Sequence, residues 1–190
     1  MATQDSRIKI KRSTVTATVP TVPSSNDHTD GTWVATDIYK GELFFNQADG
    51  VLWSRDDNGV TCLGGSASLT ISSADVLTLN TTPLTIVGAV AGYAIEVVSA
   101  SVKIDFNSAA YATNVILAIG NVSSNVSQFL IQCLDATVST IRRFEGQEAT
   151  GTTSSQLIEN EDLKVSVQVG DPTAGDSTVT VYVNYRLIPA

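Results

Sequence analysis

"DLKVSVQV", residues 162–169, and "TVTVYVNY", residues 178–185, decide the class of fold. In the first, Leu163, Val165, Val167 and Val169 fall on one side of an extended chain, with Lys164, Ser166 and Gln168 on the other. In the second, Val179, Val181 and Val183 repeat the pattern. Successive side chains of a strand point to opposite faces, so a period of two with one polar side is antiparallel sheet with one wet face. Working back towards the N-terminus, six more extended runs precede these two: "VLTLN" (76–80), "LTIVG" (84–88), "AIEVVSASVKIDF" (94–106), "NVILAIG" (114–120), "QFLIQCLD" (128–135) and "TVSTIRRF" (137–144). Their joins are polar and rich in turn formers: "NSAAYATN", "NVSSNVS", "EGQEATGTTSS" and "GDPTAGDS". No amphipathic helical run of ten or more residues interrupts them. Eight strands with such joins predict an antiparallel β-sandwich of jelly-roll type over residues 76–190.

The composition agrees. Of the 190 residues 43% are hydrophobic, enough to build a core, while only 16% are charged. Ser, Thr and Val make up the difference, and β-branched Thr and Val favour extended backbone. The formal net charge is -8, which repels phosphate backbones and disfavours nucleic acid as a partner. The most apolar stretch, "LTIVGAVAGYAIEVV" (84–98), contains Gly88 and Gly92 and falls short of the ~18 apolar residues of a membrane helix. It reads as two buried strands with a bend between them, and no membrane insertion is expected. "MATQDSRIKIKRST" has no apolar signal-peptide core, so assembly in a cytoplasm is expected. Asn-x-Ser/Thr triplets at 80, 121 and 125 are then chance matches.

The first third differs in grain. It holds both tryptophans, Trp33 and Trp53, and is dense in turns. "GELFFNQADGVLWSR" (41–55) predicts two strands joined at Ala48-Asp49-Gly50, because Asp-Gly suits a tight hairpin turn. Large apolar groups fall on both faces of this hairpin: Phe44, Phe45, Leu52 and Trp53. Such a hairpin seeks cover, and these four residues are the expected oligomer contacts. "LGGSASLTISSAD" (63–75) has the Gly-Ser grain of a joint, although its "LTI" could still pair as a short strand. The expected domains are 1–64, a hairpin-rich module; 65–75, a linker; and 76–190, the sandwich.

"RIKIKR" (7–12) is a local exception to the acidic balance. As a strand it sets Ile8 and Ile10 on one face against Arg7, Lys9 and Lys11 on the other. It reads either as an edge strand guarded by charge or as a cationic arm, with Arg12, that docks on an acidic partner.

Catalytic equipment is sparse. The single histidine, His28, lies among turn formers in "SSNDHTDGT" and reads as a solvated loop residue. No Ser or Cys nucleophile has a base to work with. "RDDNGV" (55–60) lacks the alternating oxygens and distal Glu of a calcium loop, and "ENEDL" (159–163) reads as a charged strand entry. No pair of carboxylates is singled out for glycosidase work. Cys62 and Cys133 have no CxxC partner and read as free thiols, which fits a reducing compartment. No catalytic residue, metal site or cofactor is expected. Among loop aromatics only Tyr111 suggests an exposed recognition residue.

Taken in order, Lys11-Arg12-Ser13, a Pro-containing loop, Gly41-Glu42-Leu43, Asn46, Asp49-Gly50 and Leu52-Trp53 resemble a small module found at the N-termini of tailed-bacteriophage fibre and spike proteins. The resemblance covers about the first 62 residues. More loosely, the second segment resembles the β-sandwich heads of phage fibres and head-decoration proteins. The resemblance implies a structural virion protein: a homotrimeric head fibre, tail fibre or capsid-decoration protein. Its N-terminal residues Arg7, Ile8, Lys9, Ile10, Lys11 and Arg12 would attach to other virion proteins, and its sandwich would be exposed. The alternative is a receptor-binding module that recognises a host surface glycan or protein. The chain departs from that family in having no coiled-coil or collagen-like shaft.

Overall fold

The computed structural model describes residues 10–25, 30–121, 126–143 and 157–189. The chain forms two compact units, Met1–Gly64 and Gly65–Ala190. It is all-β, and among the described residues the single helix is one turn long.

The first unit is built on a hairpin of β2 (Leu43–Asn46) and β3 (Val51–Arg55). Phe44 pairs with Trp53 and Asn46 with Val51. Gly50 adopts a φ of 67°, the left-handed turn conformation that Asp-Gly was expected to supply. Strand β1 (Lys11–Ser13) lies parallel to β2 on its outer edge. On the other side of β3 comes the start of β4 (Val60–Ile71). The hairpin's two faces are not equivalent. Phe44, Asn46, Val51 and Trp53 are buried, whereas Leu43, Phe45 and Leu52 on the opposite face are half-buried.

The second unit has two four-stranded layers. One layer has the order β4, β11 (Thr178–Pro189), β6 (Tyr93–Asp105), β9 (Thr140–Arg143). The other has the order β5 (Leu84–Val87), β10 (Leu163–Val167), β7 (Ile116–Asn121), β8 (Val126–Gln132). The pairing is nested. The unit's first strand pairs with its last, its second with its seventh, its third with its sixth and its fourth with its fifth, all antiparallel. A long hairpin ribbon folded over on itself gives this order.

The alternation that predicted the sheet is realised in the core. Val179, Val181, Val183, Tyr185 and Leu187 of β11 are buried, as are Leu163, Val165 and Val167 of β10. Each such side chain withdrawn from water contributes on the order of 1.5–3 kcal/mol before chain entropy is counted. Val169, expected on the same face, is instead 92% exposed. Strand β10 ends at Val167, and Val169 takes a φ of 75° as the chain turns out towards Gly170.

Two expectations in the middle of the chain are corrected. "VLTLN" is not a strand. Ser72 caps the short helix α1 (Ser73–Val76), its hydroxyl accepting from the Asp75 amide, and turns follow. Val76 and Leu79, three positions apart, are both fully buried, so a helical spacing wins over the extended one. The Gly-Ser stretch 65–75, expected as a linker, carries the second half of β4. Gly65–Ile71 pairs with Tyr185–Val179, and this strand takes the place of "VLTLN" as the eighth. Backbone pairing to the long β11 outweighs the flexibility of the composition, because seven consecutive residues find register partners.

Candidate attachment surface

Of the six residues expected to attach the chain, Arg7, Ile8 and Lys9 lie outside the described residues. Ile10 and Arg12 are exposed. Lys11 is engaged within its own unit. Its ammonium donates to the Asp37 carbonyl at 2.6 Å and pairs with the Glu42 carboxylate at 3.1 Å. It also sits 4.4 Å from the centre of the Trp33 ring and 5.5 Å from that of Tyr39. A cation held between a carboxylate and two ring faces is placed, not presented.

The other residues of the phage-module resemblance have similar duties. Glu42 accepts from the Tyr39 amide at 2.8 Å as well as pairing with Lys11. Asn46 is buried, and its amide nitrogen donates to the carbonyls of Val15 and Thr18 and to the Asp49 carboxylate. Asp49 in turn accepts from the Ala17 amide at 2.6 Å. The hairpin turn is thereby stitched to the 13–18 loop. Asp37 ties down the second loop, accepting from the Thr21 hydroxyl at 2.6 Å and the Val34 amide at 2.9 Å. Those hydrogen bonds, chiefly that of Thr21, hold its carboxyl below the ordinary aspartate range, with help from the charge of Lys11.

The surface of this unit carries apolar side chains among its charged ones. Among the described residues, six of the eleven exposed large hydrophobic ones lie in it: Ile10, Val15, Val22, Trp33, Val34 and Leu63. Of the four expected oligomer contacts, Phe44 and Trp53 are each only 1% exposed, which removes them from any surface in this fold. They pair across the hairpin on its buried face. Phe45 and Leu52, register partners on the opposite face, remain partly accessible.

Carboxylates in the second unit are loop clamps too. Asp176 accepts from the amides of Ser108 and Ala109, from the Ser108 hydroxyl and from the Asn107 side chain. These donors, led by the Ser108 hydroxyl, hold its pKa well below the aspartate range. Asp171 accepts from the amides of Asn80 and Thr81 and from the Thr81 hydroxyl. Asp162, in the acidic "ENEDL" stretch, accepts from the Ala89 amide and the Thr85 hydroxyl. In the first unit, Asp56 of "RDDNGV" accepts from the amides of Asn58 and Gly59, as a tight turn requires. Among the described residues no three His, Cys, Asp or Glu side chains gather as metal ligands. His28 lies outside the described residues.

Tyr111 corrects another expectation. It is 2% exposed, and its hydroxyl donates to the Ser177 carbonyl at 2.5 Å. Burial pushes its pKa up to about 12. The loop holding it is closed by Asp176, so Tyr111 is a core residue at one end of the sandwich rather than a recognition residue. Sequence reading also missed Trp33 and Tyr39 as ring partners of Lys11, since no spacing links positions 11, 33 and 39.

No protein-family model matches the chain, and no curated protein matches its sequence. Among solved structures the chain is similar to one from the cyanophage Pam1 capsid asymmetric unit. The TM-score is 0.38 and the identity 16%, over 65% of this chain and 82% of that one. At so slight a likeness, the fold rests on the strand pairing itself.

Proposed function

We propose that this chain is a non-enzymatic structural protein of a tailed-bacteriophage virion. In this reading it is a short homotrimeric head fibre, tail fibre or decoration protein, anchored by its first unit with its sandwich exposed. The nested pairing of the eight sandwich strands supports a jelly roll. One observation carries the reading. The residues that resemble the phage attachment module converge in a single self-stitched unit distinct from the sandwich, as a portable anchor requires.

The stitching also revises how such an anchor would work. Lys11 is engaged in holding β1 to its unit, so the contact surface falls to Ile10, Arg12 and the exposed apolar residues Trp33 and Val34. Exposed apolar side chains beside charged ones suit a lasting protein contact. Phe45 and Leu52 supply the partly covered face for trimer formation.

The test is incorporation into particles of the virus that encodes the chain. Residues 1–64 fused to a fluorescent protein should appear in purified particles, and residues 65–190 alone should not. The reverse result would place the docking surface on the sandwich. Sedimentation of the full chain should give three times the monomer mass.

A further inference from the structure

Tyr182 stands at the middle of the outer face of the β4–β11–β6–β9 layer, and it is 44% exposed. Its register partners are Ser68 on β4 and Ser101 on β6. Side chains opposite one another on a sheet normally shield each other. Two serines are too short to cover a phenol ring, so both flanks of Tyr182 are left open. Two positions along β11, Asn184 lies between Ser66 and Ser99, and its amide donates to the Ser99 hydroxyl at 3.0 Å. Beyond Ser101 comes Arg143 on the edge strand β9, exposed and without an ion pair among the described residues. These residues line one open trough of about 570 Å³.

The lining selects its occupant. An apolar small molecule needs an enclosed, mostly apolar cleft, and this trough is open with a serine floor. Among the described residues only Ile141, 71% exposed on the edge strand β9, joins Tyr182 as an exposed large apolar group in the lining, too few for the packed anchors of a protein hot spot. Nucleic acid needs a row of cations along its phosphates, and the lining of this trough offers one, Arg143. A sugar ring has one apolar C–H face to lay on an exposed aromatic side chain, and hydroxyls to share with Ser and Asn. Arg143 adds a cation whose planar fork matches a carboxylate. Tyr182 and Arg143 are two strands apart, roughly 10 Å, which suits more than one sugar unit.

We propose that this face binds a carboxylate-bearing oligosaccharide. Tyr182 is the stacking platform, Asn184, Ser68 and Ser101 are the hydroxyl partners, and Arg143 is the carboxylate anchor. Neither the place of the chain on a virion nor its oligomeric state enters the proposal.

The experiment presents the full chain to an array of oligouronates and sialylated oligosaccharides, each printed beside its neutral methyl-ester counterpart. At least one carboxylated member should bind above its ester. Tyr182→Ala should weaken that binding by about tenfold or more, the order expected of an anchor residue. Arg143→Gln should abolish the preference for acid over ester, and Arg143→Lys should keep part of it. Both side chains are exposed, so unchanged thermal unfolding will show the variants folded. Binding of no carboxylated member above its ester overturns the proposal, as does binding that survives in both Tyr182→Ala and Arg143→Gln.

Discussion

Gly65 stands directly opposite Tyr185 across the β4–β11 pair, and a methyl group built on Gly65 would come within 2.7 Å of the tyrosine Cζ. The ring lies over the glycine backbone and is 2% exposed. An aromatic side chain covering a glycine on the neighbouring strand protects backbone that would otherwise be open, and it fixes the register of the pair. Gly65 is therefore a packing residue at the start of the sandwich.

Gly65→Val should destabilise the second unit by about 1–3 kcal/mol, the usual cost of overpacking. Chemical denaturation followed by the fluorescence of Tyr and Trp checks this. A variant as stable as the parent would show that the ring moves aside at no cost.

A chain of residues 65–190 should fold cooperatively, whereas one of residues 76–190 should not. The second lacks Gly65–Ile71, and Val179–Tyr185 of β11 would lose one whole row of strand partners. Circular dichroism with a urea titration separates the two outcomes. Cooperative unfolding of the shorter chain would mean that β4 is dispensable.

Stability should fall as the solution is made acid. The carboxyls of Asp176, Asp171 and Asp37 titrate lower in the folded chain than in the unfolded one, where aspartate sits near 3.8. Their contribution is fully present above pH ~4 and is lost as pH drops through the folded values, because the unfolded chain then binds protons first. Thermal midpoints measured from pH 7 down to 2 should decline below about pH 4. Asp176→Ala should lower the midpoint at pH 7 and flatten that acid limb.

Tyr111→Phe should cost about 1–2 kcal/mol, since it leaves the buried Ser177 carbonyl without the hydroxyl that donates to it. Unfolding of the variant beside the parent measures the difference.

Cys133 should not react with a thiol reagent while the chain is folded. It is fully buried, and burial pushes its pKa up to about 12, so almost no thiolate is present at neutral pH. Cys62 is partly exposed. Titration with an aromatic disulfide should count at most one thiol in the native chain and two in denaturant. Two fast thiols in the native chain would contradict the burial.

The sequence by itself determined the class of fold. Alternation in 163–167 and 178–187 carried the sheets because β-periodicity is local: neighbouring side chains must take opposite faces whatever lies above them. The Asp49-Gly50 turn was legible for the same reason, since its backbone conformation is a property of two adjacent residues. The tertiary structure decided what depends on distant partners. Residues 65–71 look like a flexible joint in composition and become strand because β11, over a hundred residues later, offers them a row of hydrogen-bonding partners. "VLTLN" looks like strand and becomes helix and turn because a cap at Ser72 sets Val76 and Leu79 on one buried side. Lys11 reads as part of a free cationic arm and proves to be held by Asp37, Glu42, Trp33 and Tyr39, residues that nothing in the spacing connects to it. Tyr111 reads as an exposed loop aromatic and proves buried, whereas Tyr182, which the sequence does not single out, stands exposed. Whether a ring is covered is settled by the side chains opposite it, glycine and a clamped loop for the one and two serines for the other. Those neighbours are chosen by strand pairing across long stretches of chain, and no local pattern encodes that.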